Sequence, residues 1–467
     1  MIVNGKEIKI DRSKVRLSEM DIAYCKLVEE ILKTGIKTQN RTGIDTISIA
    51  GWNHKFNVGR EFPIAETKDV KVKNSTSEIQ WIHTVQDNHQ SWLRERENKT
   101  WDLWEVDEDG IYRVYEQGEN AIDNPEREVP LIEQVKNPVT GVIEKIPYLD
   151  KFGKQIMVKS KDVMDKKSKA RTIKEAIWFG KEHAGSIAYG YGRINSIYKR
   201  PQCVEWTLKN DPTDRRMNIS LWQDEYIHKA VLPPCVWSSE YKVTPDGKLH
   251  SYVHQRSADV PLGLPFNITQ YALLLSMFAA SCGYEVGTMS WSIMDAHIYV
   301  NQLDGIKKQL KRYKTMLKQI KMIQSNSDEE VENYYNNLNE YYENIQNYAY
   351  NFLDSYIQNN PEFIKNGVQQ TVENLPMSKR INILKKLNLE QLAKDYEQSF
   401  EEKVCFEHLV TRDNPILELA NHDSIFEYST DYVDAKDPYL KENPIGNKDI
   451  KLKNYTPTPF IKMPIAQ

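Results

Sequence analysis

Apolar residues recur along the chain at spacings that predict a mixture of helices and strands. Residues 20–34 carry apolar side chains three and four positions apart, which predicts an amphipathic helix. Residues 46–58 alternate between apolar and polar, as a half-buried strand does, and residues 77–93 are predicted to form another helix. The stretch 271–280 is almost wholly apolar, so we expect a helix that is buried on most sides and begins near residue 267 or 269.

Two stretches interrupt this pattern and are predicted to be insertions. Between about residues 107 and 185, charge and proline are dense and apolar periodicity is weak. Between about 313 and 411 we expect a mainly helical insertion, which begins in a lysine-rich helix with a narrow apolar stripe. We expect that basic helix to pair with the acidic stretch 328–350, with nucleic-acid binding as the alternative. The remaining division is an N-terminal extension, 1–19, and one interrupted domain, 20–467, with both insertions outside its core.

Composition narrows the classes of function. The chain has 467 residues, of which 40% are hydrophobic and 27% charged, so it can bury a globular core. The net charge of −4 gives no global attraction for nucleic acid, and an anionic ligand would need a local arginine cluster. The five cysteines form no C-x-x-C pair, which argues against a disulfide framework or a zinc site and favours a reducing compartment. The first twelve residues lack the apolar segment of a signal peptide, and no stretch is long enough to span a membrane, so we expect a cytoplasmic protein.

The candidate chemistry centres on Cys235, in the run Leu-Pro-Pro-Cys-Val-Trp. A lone cysteine among apolar residues is usually a buried structural side chain. Arginines in nearby polar runs change this interpretation: Arg41 in Asn-Arg-Thr-Gly, the pair Arg215 and Arg216, and Arg256 in Gln-Arg-Ser. A guanidinium binds phosphate oxygens through a planar fork of donors, and it also stabilises a thiolate. Cys235 is therefore a candidate nucleophile beside an anionic substrate.

Two further runs carry groups that could recognise a nucleotide. The segment 259–267 is punctuated by proline and glycine, so we expect a shaped loop that presents one carboxylate and one carboxamide. The carboxamide of Asn267 donates and accepts side by side, which matches N3–H and O4 of uracil, whereas a carboxylate would suit cytosine. In a strand, Asp295, His297 and Tyr299 would share one face. The histidine and tyrosine could then bind a sugar hydroxyl.

Taken together and in this order, these runs resemble the thymidylate synthase family. The segments that carry the resemblance are 40–46, 62–68, 78–81, 101–104, 189–190, 208–222, 232–237, 255–271, 295–299 and 455–467. They span the whole domain of that family. The resemblance implies the family's α/β fold, in which a large mixed β-sheet is packed by helices and forms a dimer interface.

The resemblance also implies a role for each matched residue. Cys235 is expected to attack C6 of dUMP, Glu78 to manage proton transfer through water, and Tyr189 to help remove the C5 proton. Arg256, Asn267 and Asp259 complete the expected catalytic set. The residues expected to bind dUMP are Arg41, Arg215, Arg216, Gln255, Arg256, Ser257, Asn267, His297 and Tyr299. The residues expected to bind the folate are Lys68 at its glutamate tail and Trp101, Trp104, Asp259, Leu262, Gly263, Phe266 and Ala466.

The implied reaction transfers a one-carbon unit from 5,10-methylenetetrahydrofolate to C5 of dUMP and gives dTMP and dihydrofolate, without a metal. The implied assembly is a homodimer in which Arg215 and Arg216 reach the partner's site. Aromatic walls such as Trp101 would stack on the pterin and exclude water.

Departures from the family pattern leave an alternative product open. Val236 stands where many members have histidine, although some bacterial and phage members have valine. Thr100 and Gln467 stand where aliphatic residues are usual, and both make the folate pocket more polar. Water reaching the exocyclic methylene would give 5-hydroxymethyl-dUMP and tetrahydrofolate, the reaction of the related phage hydroxymethylases, and the insertions suggest a divergent, phage-encoded member. Asn267 argues against dCMP as substrate. An RNA-binding role without catalysis is the remaining alternative, and the intact catalytic set argues against it.

Overall fold

The computed structural model describes residues 1–40, 42–116, 126–160, 172–365 and 368–465. The helices in these ranges are α1 (Glu19–Thr34), α2 (Val72–Gln80), α3 (Gln90–Arg94), α4 (Gly192–Tyr198), α5 (Arg200–Asn210), α6 (Gly263–Cys282), α7 (Leu303–Ser325), α8 (Asp328–Gln358), α9 (Met377–Lys386) and α10 (Glu390–Thr411).

The strands are shorter on average than the helices. In chain order they are β1 (Ile2–Val3), β2 (Lys6–Glu7), β3 (Ile36–Thr38), β4 (Thr46–Phe56), β5 (Ile111–Tyr115), β6 (Glu128–Lys136), β7 (Ile143–Pro147), β8 (Met157–Lys159), β9 (Ile173–Trp178), β10 (Asn218–Ser220), β11 (Val236–Val243), β12 (Lys248–Asp259), β13 (Glu285–Tyr299), β14 (Ile364–Lys365), β15 (Val368–Gln369), β16 (Ile416–Leu419) and β17 (Ile450–Lys453).

The largest sheet has six strands in the order β10-β11-β12-β13-β4-β3. Strands β12 and β13 run parallel and the other neighbours run antiparallel, so the sheet is mixed. Parallel neighbours need a crossover, and α6 supplies it. One face of the sheet packs on α1 and α6, whose buried side chains belong to the main core. The predicted α/β architecture with a large mixed sheet is confirmed.

The local predictions are confirmed where the apolar pattern is long and regular. Helix α1 and strand β4 match the predicted stretches, and α1 begins at a capping serine, Ser18, whose hydroxyl accepts from Asp21 N at 2.9 Å. The buried helix α6 is also present, but it begins at Gly263 rather than near 267. The expected loop 259–267 therefore ends in a helix, because the first helical turn tolerates a proline, here Pro265.

The predicted helix 77–93 is interrupted in the structure. Helix α2 starts earlier, at Val72, and runs into one π-helical turn, Trp81–Val85. Gln86 then adopts a left-handed conformation with φ of 59°, which ends the helix, and α3 follows separately. Apolar spacing alone does not reveal this break, since the side chains on both sides of it remain buried.

The first insertion, 107–185, forms a small sheet beside the main one. Strands β5, β9, β6 and β7 lie in that order, and β8 pairs with β6. Its apolar side chains, among them Leu131 and Ile173, form a core of their own. The described residues of this segment therefore have a small core that is separate from the main one.

The second insertion differs from the prediction in two ways. It is helical as expected, and its distal part has a separate core around Leu353 and Tyr396. Its proximal part is not outside the domain, because Tyr335, Phe406 and Leu409 belong to the main core. The basic helix α7 also pairs with α10 and α1 rather than with the acidic α8. Helix α10 therefore packs against α7, α8 and α9.

Among the described residues, none of the helices is both long enough and apolar enough to cross a membrane. The same part of the chain contains no group of three or more histidine, cysteine, aspartate or glutamate side chains that could hold a metal ion.

Candidate active site

One cavity of about 680 Å³ collects most of the residues singled out in the sequence. It lies where the C-terminal ends of β12 and β13 meet the beginning of α6. The predicted residues that line it are Glu78, Trp104, Cys235, Arg256, Ser257, Asp259, Leu262, Gly263, Phe266, Asn267, His297 and Tyr299. The cavity therefore unites residues separated by more than 200 positions in the chain.

Cys235 lies at the cavity wall just before β11, and Arg256 lies next to it on the neighbouring strand β12. The backbone N–H of Arg256 donates to the Cys235 carbonyl at 2.8 Å, which holds the two residues side by side. The Arg256 guanidinium donates to the carbonyls of Pro233 (2.8 Å) and Pro234 (2.9 Å), and its Nη2 lies 3.8 Å from the Cys235 sulfur. The Pro-Pro pair thus orients the guanidinium, and a positive charge at this distance favours the thiolate.

Tyr191, rather than the predicted Tyr189, contacts the cysteine. The Tyr191 hydroxyl accepts a hydrogen bond from Cys235 N at 3.0 Å, and the side chain is buried. Tyr189 points into a different cleft and stacks on Tyr226 with ring centroids 4.7 Å apart. The structure therefore corrects the assignment from Tyr189 to Tyr191. The sequence did not distinguish the two residues because the Tyr-Gly dipeptide occurs twice in succession. Gly192 is required beside Tyr191, since a Cβ there would collide with the Asp87 carbonyl.

A chain of hydrogen bonds determines how the Asn267 amide is oriented. The Trp291 indole can only donate, and it donates to Gln255 Oε1 at 3.1 Å. Gln255 Nε2 must then donate onward, and it reaches Asn267 Oδ1 at 3.0 Å. Asn267 Nδ2 in turn donates to Gln270 Oε1 at 3.1 Å. Each atom of the Asn267 amide still has the capacity for a second hydrogen bond, toward the cavity.

Glu78 lies at the far end of this chain, beside Gln270 and Trp101. Burial raises the pKa of Glu78 to about 7, although the neighbouring Gln270 and Trp101 side chains oppose that rise. A carboxyl group with a pKa near neutrality can both accept and return a proton at physiological pH. Glu78 therefore has the property that the predicted proton-transfer role requires.

The strand β13 presents Asp295, His297 and Tyr299 on one face, as the period of two predicts. His297 Nδ1 lies 3.1 Å from Asp295 Oδ2, and the same oxygen accepts from the Ser257 hydroxyl at 3.0 Å. The rings of His297 and Tyr299 meet edge to face at 5.0 Å. The carboxylate thereby orients the imidazole so that its other nitrogen is available to a ligand.

The opposite wall is apolar and aromatic, with one carboxylate. Leu262 and Phe266 line it, together with Trp104, and Trp101 packs behind Trp104 with ring centroids 5.6 Å apart. Burial raises the pKa of Asp259, against the effects of His297 and Gln302. A flat heterocycle with hydrogen-bond donors, such as a pterin, fits an aromatic wall that ends in a carboxylate.

Thr100 also lines the cavity, as its departure from the family pattern suggested. Its hydroxyl donates to Asn98 Oδ1 at 2.6 Å, so only its lone pairs face a solvent molecule. Ile465, from the C-terminal tail, lines the cavity as well and adds an apolar group at its mouth. Gln467 lies outside the described residues.

Lys68 is not in the cavity, although a contact with the folate's glutamate tail was expected. Its side chain is 5% exposed, and its ammonium donates to the Pro261 carbonyl behind the cavity wall. Burial lowers its pKa to about 8, and Asp259 opposes that shift. The structure therefore corrects this assignment: Lys68 supports the wall that carries Asp259 and does not line the ligand space.

Of the expected phosphate-binding residues, Arg256 and Ser257 line the cavity and Arg215 and Arg216 do not. Arg215 lines an open depression on the outer face of the main sheet, and Arg216 is 87% exposed and bound to Asp214. Arg41 and Ala466 lie outside the described residues. Gln255 is buried behind Asn267 and acts on the cavity only through it.

The sequence interpretation missed four residues that shape the site: Tyr191, Gln270, Trp291 and Gln302. The second Tyr-Gly pair is the signal that could have indicated Tyr191. The others are buried polar or aromatic side chains on core elements, and their type alone gives no indication of a site.

The family model described as thymidylate synthase matches residues 22–353, well over half of the chain. The chain belongs to the thymidylate synthase family. Among curated proteins, it is similar to the thymidylate synthase of Clostridium beijerinckii, with 30% identity over 296 residues, 63% of this chain and 83% of the relative. It is also similar to that of Oenococcus oeni, with 32% identity over 299 residues, 63% and 87% of the two chains.

A solved structure, thermostable thymidylate synthase A from Bacillus subtilis, matches with 24% identity and a TM-score of 0.43, over 63% of this chain and 84% of that one. Membership of the thymidylate synthase family makes this protein an enzyme of one-carbon transfer to dUMP, with methylenetetrahydrofolate as co-substrate. The two curated relatives each match 63% of this chain, so more than a third of it lies outside those two matches.

Proposed function

We propose that this enzyme is a thymidylate synthase proper, which converts dUMP and 5,10-methylenetetrahydrofolate into dTMP and dihydrofolate. The observation that carries the proposal is the convergence of Cys235 with Arg256, Asn267, Glu78 and Asp259 on one cavity. A nucleophile, an anion site, a base-reading amide, a proton carrier and a pterin-binding carboxylate are the groups that this chemistry needs.

The reaction begins at Cys235. Its thiolate forms a bond to C6 of the uracil ring, and the C5–C6 electron pair moves toward O4, which gives an enolate. Asn267 Nδ2 donates to O4 and stabilises that charge, while Asn267 Oδ1 accepts from N3–H. C5 is now nucleophilic and bonds to the methylene carbon as the first of that carbon's two bonds to folate nitrogens breaks; the second breaks when tetrahydrofolate is expelled.

Completion of the reaction requires proton removal and reduction. The C5 proton leaves by way of water held near Glu78 and Tyr191, tetrahydrofolate is expelled, and an exocyclic methylene remains on the base. A hydride from the bound tetrahydrofolate converts the methylene to methyl, and the cysteine leaves C6. The products are dTMP and dihydrofolate, so the folate is the reductant.

We also propose that the site is completed in a homodimer. Within the part of the chain that the structure describes, the outer face of the main sheet is left uncovered. It exposes Met294 (67%) and Tyr252 (37%), and His254 and Trp237 lie on the same face. An exposed apolar and aromatic surface of this kind is typical of an interface. Arg215 lies on the same face. Its exposed position suits an arginine that reaches the phosphate in the other protomer.

We also propose a cytoplasmic location, because the reaction requires the sulfur of Cys235 in its reduced state and thiols stay reduced in that compartment.

Product analysis tests the proposal. Wild-type enzyme with dUMP and methylenetetrahydrofolate should give dTMP and dihydrofolate in equal amounts, measured by chromatography and by the growth of dihydrofolate absorbance. The Cys235→Ser variant should lose turnover and still bind dUMP in calorimetry. Turnover by that variant comparable to wild type would refute the nucleophile.

The alternative product is 5-hydroxymethyl-dUMP, and the observation in its favour is the hydroxyl of Thr100 at the cavity wall. Its lone pairs could hold a water molecule near the exocyclic methylene. Tetrahydrofolate without dihydrofolate would establish this alternative. In that case Thr100→Ile should move the product ratio toward dTMP.

A further inference from the structure

The C-terminal tail, residues 455–465, is bound to the protein along its length before it reaches the cavity. The Tyr455 hydroxyl accepts from Val70 N at 2.9 Å and donates to the Ala65 carbonyl at 3.0 Å. Thr458 donates to the Glu66 carbonyl from both its N–H and its hydroxyl, each at 2.8 Å. The tail is therefore attached to the segment that precedes α2.

Helix α7 provides a second support, which runs antiparallel to the tail. Arg312 Nη1 donates to Thr458 Oγ1 at 2.8 Å and to the Pro459 carbonyl at 2.9 Å. Two turns earlier, Gly305 makes room for the tail, since a Cβ there would lie 2.8 Å from Met463 Cγ. At the start of the helix, Gln302 Nε2 donates to the Pro464 carbonyl at 3.0 Å.

Gln302 also connects the tail to the folate wall. The same Nε2 lies 3.2 and 3.1 Å from the two carboxylate oxygens of Asp259. Gln302 is fully buried, and its Oε1 accepts from Tyr299 N, so its amide orientation is determined. The residue after Pro464 is Ile465, which lines the cavity. Displacement of the tail would thus remove an apolar group from the cavity and a hydrogen-bonding partner from Gln302.

Helix α10 of the helical insertion contacts both Arg312 and the C-terminal tail. Glu401 on α10 binds the Arg312 guanidinium through both oxygens, at 2.7 and 2.9 Å, and Arg312 is 1% exposed. His408, also on α10, donates from Nδ1 to the Thr456 carbonyl at 2.9 Å. Burial lowers the pKa of His408 to about 4, so the ring is neutral and this donor is an ordinary imidazole N–H.

Among these contacts, the ion pair with Glu401 is the one that keeps the buried Arg312 guanidinium in place. Arg312 cannot lose its charge, and a buried guanidinium without its carboxylate is strongly unfavourable. Without Glu401, Arg312 must move toward water, and it would then release Thr458 and Pro459. The insertion, through Glu401, therefore keeps Arg312 in the position from which it binds Thr458 and Pro459 of the tail.

We propose that the helical insertion keeps the C-terminal tail seated over the folate cavity, with Glu401 and His408 as positioning residues. This inference rests on the proposed function, because it assigns the folate to the wall formed by Asp259 and Ile465. The expected consequence is selective. Folate binds to a cavity whose apolar edge is already in place, whereas dUMP contacts Cys235, Arg256 and Asn267, which the tail does not touch.

The test compares two variants on the same helix. Glu401→Gln removes the charge that holds Arg312, and Glu397→Gln is the matched control. Glu397 lies one turn earlier and binds Lys308 at 2.6 Å, while Glu401 also binds Lys308, at 3.2 Å, so both variants remove one partner of that lysine. Only Glu401→Gln removes a partner of Arg312.

We expect Glu401→Gln to raise the KM for methylenetetrahydrofolate about tenfold, which corresponds to losing one hydrogen-bonded charge contact, and to leave the Kd for dUMP unchanged. Amide hydrogen exchange at 455–465 should accelerate in Glu401→Gln and not in Glu397→Gln. Equal tail exchange in the two variants, or an equal folate KM, would overturn the proposal.

A second pair keeps the inference testable if Glu401→Gln does not fold. His408→Leu removes the donor to Thr456, while His408→Asn retains one at a similar position. Exchange at the tail should increase in the first and not in the second, and equal exchange would refute the role of His408. Amide hydrogen exchange at the tail is measured without turnover, so the two proposals can fail separately. An inactive wild-type enzyme would refute the proposed function and would leave this inference standing.

Discussion

Replacing Asn267 with aspartate changes one group in the site and leaves its size unchanged. In the wild type, Asn267 Nδ2 donates to Gln270 Oε1, and its second hydrogen is directed at O4 of uracil in the proposed complex. Aspartate has no such donor. Its first oxygen can still accept from Gln255, and its second oxygen would face the Gln270 oxygen and O4 of the substrate.

The Gln270 amide cannot simply turn over to relieve this conflict. Its nitrogen lies beside Glu78, and the Gln270 side chain lowers the pKa of that carboxyl, so a flip would place two oxygens together there. At least one buried polar contact to dUMP is therefore lost, which costs about 1–3 kcal/mol. This corresponds to a decrease in kcat/KM for dUMP of about 5- to 150-fold. Cytosine, with an acceptor at N3 and an amino group at C4, should gain what uracil loses.

The assay is steady-state kcat/KM for dUMP and for dCMP, each with saturating folate. Asn267→Ala is the control, because it removes both hydrogen-bonding groups and should weaken the reaction of dUMP without improving that of dCMP. If Asn267→Asp retains the dUMP preference of the wild type, Asn267 does not read the base and the hydrogen-bond chain from Trp291 has no role in specificity.

Three further predictions concern other parts of the molecule. Glu78→Gln should lower kcat. In the wild type, the pKa of about 7 makes the folded state bind more protons than the unfolded state, so the free energy of unfolding should fall as the pH rises from 4.5 to 7, by up to about 1.4 kcal/mol per pH unit. Urea unfolding of Glu78→Gln should lack this fall. Tyr191→Phe should lower kcat about 5- to 150-fold, because the Cys235 N–H loses its acceptor, whereas Tyr189→Phe should have little effect. Replacing residues 346–394 with a short linker should leave a folded, dUMP-binding protein, since α8 and α10 lie side by side and this segment has its own core; loss of binding in a folded product would contradict that separation.

Sequence reasoning selected residues that the structure also places together where polar and reactive side chains are concentrated in short runs. Cys235 with its Pro-Pro pair, Arg256 with Ser257, and the alternating residues of β13 are close in sequence to the groups they work with. The β11–β12 pairing that joins Cys235 to Arg256 links residues only 21 positions apart. Residues this close in the sequence stay near one another in the folded chain, so the groups that they bring together can be recognised before the fold is known.

The same reasoning failed where a choice depended on packing. Tyr189 and Tyr191 stand in identical Tyr-Gly dipeptides, and only the packing of the segment before α4 shows which hydroxyl reaches Cys235. Lys68 was expected to bind the glutamate tail of the folate, but its ammonium is buried and donates to the Pro261 carbonyl instead. The second insertion has a composition typical of a peripheral helix, while Phe406 and Leu409 fill the main core.

The sequence by itself determined the family and the helices and strands with long apolar periodicity, and it predicted Cys235 as the nucleophile and Asn267 as the base-reading amide. These follow from residue type and spacing, which are local properties. The tertiary structure alone decided the orientation of Asn267 through Trp291 and Gln255, the raised pKa of Glu78 and the attachment of the C-terminal tail to Arg312, which Glu401 holds in place. Each of these depends on burial and on contacts between residues distant in the chain, and such contacts exist only after the chain has folded.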